Sequence, residues 1–163
     1  MTNTKHTLVA LVEDKPGVLN RIASLFRRRS FNIQSLAVGG SERPGLSRMT
    51  IVSFGDSAQI EQVRKQLDKL INVIKVSDIT DEDMVTRELA LIKVKATAST
   101  RSEIMQIVGV FRANIVDVAP GSLTVEVTGD EDKVNSLLGL LSDFGVREVS
   151  RTGRIALTRG SSS

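Results

Sequence analysis

The chain has 163 residues, 40% hydrophobic and 25% charged, with a net charge of +3, a composition that suits a globular core and excludes a disordered chain. With no cysteine and one histidine, His6, it lacks disulfides, thiolate metal sites and cysteine nucleophiles, and offers little for a histidine-rich metal centre or a serine-type triad. No apolar run is long enough to span a membrane, and residues 1–6 lack the apolar stretch of a secretion signal, so a cytoplasmic protein is expected.

The charge is uneven. Residues 1–80 carry 12 Lys and Arg against 7 Asp and Glu, and residues 81–163 carry 10 against 12, a split that favours association with another chain. Nucleic acid is a poor partner, because 3% aromatic content with no Trp or Tyr builds no stacking platform.

Leu8 to Val12 reads as an apolar strand, followed by the turn Glu13-Asp14-Lys15-Pro16-Gly17. Val18, Leu19, Ile22, Leu25 and Phe26 then recur at helical spacing, with Arg21, Ser24 and Arg28 opposite. His6 lies beside the frayed start of the chain. Ile33 to Val38 reads as a second strand, residues 39–45 as a loop of breakers, and Arg48 to Phe54 as a third strand. Gly55-Asp56-Ser57 stops it and caps a helix with apolar positions Ile60, Val63, Leu67 and Leu70, and Val73 to Val76 closes the unit. The acidic residues 78–83 read as a solvated linker.

A second unit of the same order follows. Leu89 to Val94, Ile115 to Val118, Leu123 to Val127 and Val146 to Val149 read as strands, with helices lined by Ile104, Ile107, Val108 and Phe111 and by Val134, Leu137 and Leu141. Leu19, Ile22 and Phe26 share their spacing with Ile104, Ile107 and Phe111. Gly55-Asp56 leads into Ile60, Val63 and Leu67 as Gly129-Asp130 leads into Val134, Leu137 and Leu141. The fold class predicted is α+β, two tandem ferredoxin-like βαββαβ sandwiches over residues 1–79 and 87–163 with a linker at 80–86. Each sheet would leave one face bare, which predicts dimerisation. An extra edge strand is expected within residues 151–160, and Ser161 to Ser163 should be loose.

The turn is the candidate site. A carboxylate followed by Lys-Pro-Gly at a strand-to-helix junction is expected to cap the helix and bare backbone N–H groups, which suit the carboxylate of a small zwitterion. Pro16 fixes φ and Gly17 removes a Cβ from the approach. Asp14 or the Asn32 side chain can accept from an ammonium, and Val18, Leu19 and Ile33 can edge a pocket for a valine-sized side chain. Plainer readings stand beside these: Asp14 as an ordinary N-cap, Gly17 as a tight-turn residue, Asn32 as the cap of a strand entry. Arg27-Arg28-Arg29 either grip phosphates or complement the helix dipole, and Asp81-Glu82-Asp83 either hold a divalent cation or are simply solvated. No residue stands out as catalytic or as a metal ligand.

Leu11 through Leu19 with Phe26 through Val38 resembles the regulatory (small) subunit family of acetolactate synthase, also called acetohydroxyacid synthase. So do Ser47 to Ile51, Lys65 to Val73, Arg87 to Val94 and Phe111 to Val118. The Asp-Lys-Pro-Gly turn alone points only to an ACT domain, an amino-acid-binding module, which the resemblance places in the first unit. It implies a non-catalytic subunit that activates a catalytic large subunit and confers feedback inhibition, usually by valine, in branched-chain amino-acid biosynthesis. Thiamine diphosphate, Mg and FAD are then expected on the catalytic partner and no cofactor on this chain. The effector would sit between two ACT domains of a homodimer, contacted by Asp14, Lys15, Pro16, Gly17, Val18 and Leu19 of one chain and Asn32 and Ile33 of the other. Some relatives carry Asn where this chain has Asp14. The basic residues Arg21, Arg27, Arg28 and Arg29 are candidates for contact with the catalytic subunit. The competing readings are an amino-acid sensor acting on another enzyme or on transcription, and an enzyme on a ferredoxin-like scaffold.

Overall fold

Alternating core positions in each strand and apolar stripes at helical spacing build two separate cores, one per repeat. The computed structural model describes residues 4–28 and 31–160; Arg29 and the expected loose end at Ser161 to Ser163 lie outside the described residues. The first repeat runs β1 (Thr4–Glu13), α1 (Val18–Arg28), β2 (Asn32–Gly40), β3 (Leu46–Gly55), α2 (Ser57–Asp68) and β4 (Val73–Asp78). The second runs β5 (Met84–Lys95), α3 (Arg101–Val110), β6 (Asn114–Ala119), β7 (Ser122–Gly129), α4 (Glu131–Ser142) and β8 (Val146–Arg151), with β9 (Ile155–Thr158) after it. Both sheets are antiparallel, ordered β2-β3-β1-β4 and β6-β7-β5-β8, the ferredoxin-like order.

The paired Gly-Asp steps do the same work in both halves. Asp56 Oδ1 accepts from Ala58 N–H and Asp130 Oδ1 from Lys133 N–H, each at 2.9 Å, satisfying orphan donors at the head of α2 and α4. Gly55 is required by packing: a Cβ there would lie 2.8 Å from the Phe31 ring.

The second unit is predicted to run from 87 to 163, but the compact units are Thr86–Gly153 and the remainder, one unit running up to Val85 and resuming at Arg154. The strand expected within 151–160 exists as β9; it pairs with β5, and Arg159 N–H donates to Asp83 O at 2.8 Å. Nor is the outer face of the first sheet bare, since Arg154 Nη1 donates to Thr7 Oγ1 at 2.9 Å and Ala156 is buried. The acidic stretch is accordingly not all solvated linker. Asp83 pairs with Arg159 at 3.2 Å and Ile79 is buried.

His6 is likewise not at a frayed end. It is buried inside β1, with Nδ1 on Asp78 Oδ2 at 2.9 Å and Nε2 on Thr4 Oγ1 at 2.8 Å. An ionised carboxylate only accepts, so Nδ1 carries the proton. Burial alone would raise the Asp78 carboxyl, but Thr80's hydroxyl and N–H and the His6 ring outweigh it and hold the group below the usual aspartate range. A carboxyl depressed by folding stabilises above its unfolded value of 3.8, and that stabilisation is lost as pH falls through the lower folded value. Urea midpoints against pH should therefore fall below about pH 4 in the wild type and fall less steeply in Asp78→Asn; parallel curves would refute the assignment.

Candidate functional site

Two main-chain bonds pin the β1–α1 turn at its entry: Glu13 N–H donates to Asn72 O at 2.8 Å and Asp14 N–H to Gly45 O at 2.9 Å. The Glu13 carboxylate gathers Lys15 Nζ at 2.9 Å and Asn72 Nδ2 at 3.2 Å, and Arg21 Nη1 donates to Asn72 Oδ1. Hydrogen bonds from Lys15 and Asn72 hold the Glu13 carboxyl below its ordinary range. Asn72 is thus the residue that locks the turn. A lone Asn in the lead-in to a strand looks like any other turn residue, and only its long-range partners give it this role.

The cap position belongs to Gly17, not Asp14 as expected. Gly17 O accepts from Arg21 N–H at 3.0 Å, and Gly17 sits at φ +86°, in the left-handed region that a Cβ disfavours. Pro16 ahead of it has no N–H to compete for an anion. The first-turn N–H groups of Leu19 and Asn20 have no carbonyl a turn behind them within α1, and they carry the positive end of the helix dipole. Asp14 is exposed, and its carboxylate makes no bond among the described residues.

Val18 points the other way: it is 4% exposed and belongs to the first core, so it supports the turn from below and does not edge a pocket. Leu19 is 46% exposed beside the turn. Arg21, Arg27 and Arg28 are exposed on α1, the last two in its final turn where they complement the dipole.

Asn32 and Ile33 lie elsewhere. Asn32 stands opposite Phe54, which stands opposite Lys5, whereas Gly40 stands opposite Ser47 and Ser47 opposite Val12. Asn32 therefore marks the end of the sheet away from the turn, about 25 Å from Glu13 at ~3.3 Å per residue. Its side chain is exposed and Ile33 packs against the first core. One chain alone does not bring Asn32 to the turn.

Among the described residues no group of three or more acidic, Cys or His side chains can hold a metal ion, and no helix is long and apolar enough to cross a membrane.

Comparison with known proteins bears on both units. The family model described as the AHAS small subunit-like ACT domain matches residues 8–75, and that described as the small subunit of acetolactate synthase matches residues 87–160. A probable acetolactate synthase small subunit of Archaeoglobus fulgidus is 57% identical over 156 residues, 96% of this chain and 98% of that protein. The acetolactate synthase small subunit of Mycobacterium bovis is 55% identical over 160 residues, 98% and 95% of the two chains. The crystal structure of the acetolactate synthase small subunit from Thermotoga maritima superposes with a TM-score of 0.89 at 43% identity, covering 97% of this chain and 99% of that one. With an ACT domain in front and the family's own C-terminal region behind it, the chain belongs to the acetolactate synthase small (regulatory) subunit family.

Proposed function

We propose that this chain activates a catalytic acetolactate synthase subunit and makes it answer to a branched-chain amino acid, valine first. The chain itself is not catalytic. The partner carries thiamine diphosphate, Mg and FAD and condenses two pyruvates, or pyruvate with 2-oxobutyrate, with loss of carbon dioxide in the cytoplasm.

The observation that carries this reading is the braced turn with main-chain donors at the head of α1 that are unmet among the described residues. An effector carboxylate meets the first-turn N–H groups across Gly17. Its ammonium meets the Asp14 carboxylate and the Asn32 side chain of a second copy. Its side chain lies on the exposed Leu19, and burying a valine-sized group there contributes about 1.5–3 kcal/mol.

A second copy supplies Asn32 through β2, one edge of the first sheet. Two β2 strands paired antiparallel about a two-fold axis set Asn32 of one against the Gly40 end of the other, which is the turn end of the sheet. The homodimer follows from this edge and not from a bare sheet face. The basic face of α1, with Arg21, Arg27 and Arg28, is the surface offered to the catalytic subunit.

The test is reconstitution. The purified chain should turn over no pyruvate alone, should raise the rate of a thiamine-dependent catalytic subunit, and should confer inhibition by valine. Acetolactate formed by the chain alone, or no stimulation of the catalytic subunit, would overturn the reading.

A further inference from the structure

An open cavity of about 520 Å³ lies on the first sheet's outer face, within the size range of small-molecule sites. Its floor is Leu11 and Val9 of β1, and one wall is β9 through Ala156 and Leu157. None of the turn residues 14–19, nor Asn32 or Ile33, lines it.

The strand register orders its chemistry. Leu11 stands opposite Lys75 on β4 and opposite Arg48 on β3, so two cations flank one leucine, about 10 Å apart across two strand spacings. One rung along, Val9 stands opposite Ser77 and Thr50, with no charge. Arg48 gives one donor to Glu42 Oε1 at 2.6 Å and keeps others, and Arg43 joins it at the rim. Lys75 is exposed and has no ion-pair partner among the described residues. Two acids line the cavity, Glu42, paired with Arg48, and Glu82 at the other end of β4, past Ile79.

We infer that this cavity is a binding site for an apolar monocarboxylate, its carboxylate between Lys75 and Arg48 and its hydrocarbon body over Leu11 and Val9 against β9. The cations at one end require an anionic head. The uncharged rung beyond them takes a tail of some four to six carbons, about the span of two residues of strand and the wall beside it. Glu82 at the far end repels a second negative charge, which selects a monoanion over a dicarboxylate.

Hexanoate, titrated into the full chain with methyl-labelled Leu and Val, tests this by NMR. Saturable shifts are expected at Val9, Leu11 and Leu157 in the millimolar range, unchanged by saturating valine. Lys75→Glu and Arg43→Glu, both at exposed positions, should each weaken binding about tenfold or more. Hexylamine, with the same tail and the opposite charge, should leave those methyls unmoved. The site is refuted by an absence of saturable shifts up to tens of millimolar, by an equal response to hexylamine, by displacement with valine, or by wild-type affinity in both variants.

Discussion

Gly17→Asp and Asn32→Ala should each weaken valine binding strongly as pure homodimers, and mixing them should restore wild-type affinity at one site per dimer. In a mixed dimer the Asn32→Ala chain contributes an intact turn and the Gly17→Asp chain an intact Asn32, and these meet at one of the two sites of the interface. Repulsion between the carboxylate introduced by Gly17→Asp and the effector's own, 4 Å apart at an effective dielectric constant of about 20, is about 4 kcal/mol, so affinity should fall ~100-fold or more. Losing the Asn32 side chain removes hydrogen bonds to a charged group worth about 1.5–3 kcal/mol, a loss of ~10- to 100-fold. Folding should survive, because a Cβ at Gly17 meets nothing within 4 Å and the φ of +86° adds only about 1–2 kcal/mol of strain. Gly17→Ala separates that strain from the charge. Titration calorimetry on equimolar mixtures checks the prediction, and no recovery in the mixture would show that both residues do not serve one shared site.

The largest stability effect is expected at Phe26. It is 1% exposed in the first core, and its ring meets Phe31 edge-on with centroids 6.2 Å apart. Its carbonyl also accepts from Phe31 N–H at 3.1 Å as the chain leaves α1. Phe26→Ala should cost about 3–5 kcal/mol through the cavity it leaves. At roughly 4–8 °C per kcal/mol for a unit of this size, calorimetry should show the first unit melting more than about 10 °C lower. The second core shares none of these buried residues, so its melting should not follow; a shift below ~5 °C in the first unit would refute the anchoring role.

Much of this was legible from residues alone, and the failures share a cause. Apolar spacing located every core segment, and the Gly-Asp steps at 55–56 and 129–130 marked two helix starts because a cap acts over three residues. Strand ends are less legible. Thr4 to Thr7, Ser77 to Asp78 and Met84 to Glu88 join ladders through backbone groups whatever their side chains. His6 reads as lying beside a frayed start because its partner, Asp78, is 72 positions away. The turn was visible as Asp-Lys-Pro-Gly, but the assignment of its cap to Gly17 depended on φ. Its lock through Asn72 and its distance from Asn32 depended on pairing and register, and the outer cavity draws on residues scattered from Val9 to Thr158.

The return of β9 to the front unit dictates an order of synthesis. Arg154 and Thr7 are bonded across 147 positions, so a ribosome has passed through both modules before the first can close its outer surface. Translation that halts after the linker releases a four-stranded sheet whose outer face has neither Arg154 nor Ala156 against it. Completion of the front half thus waits on the tail, and long-range closure of this kind is slow.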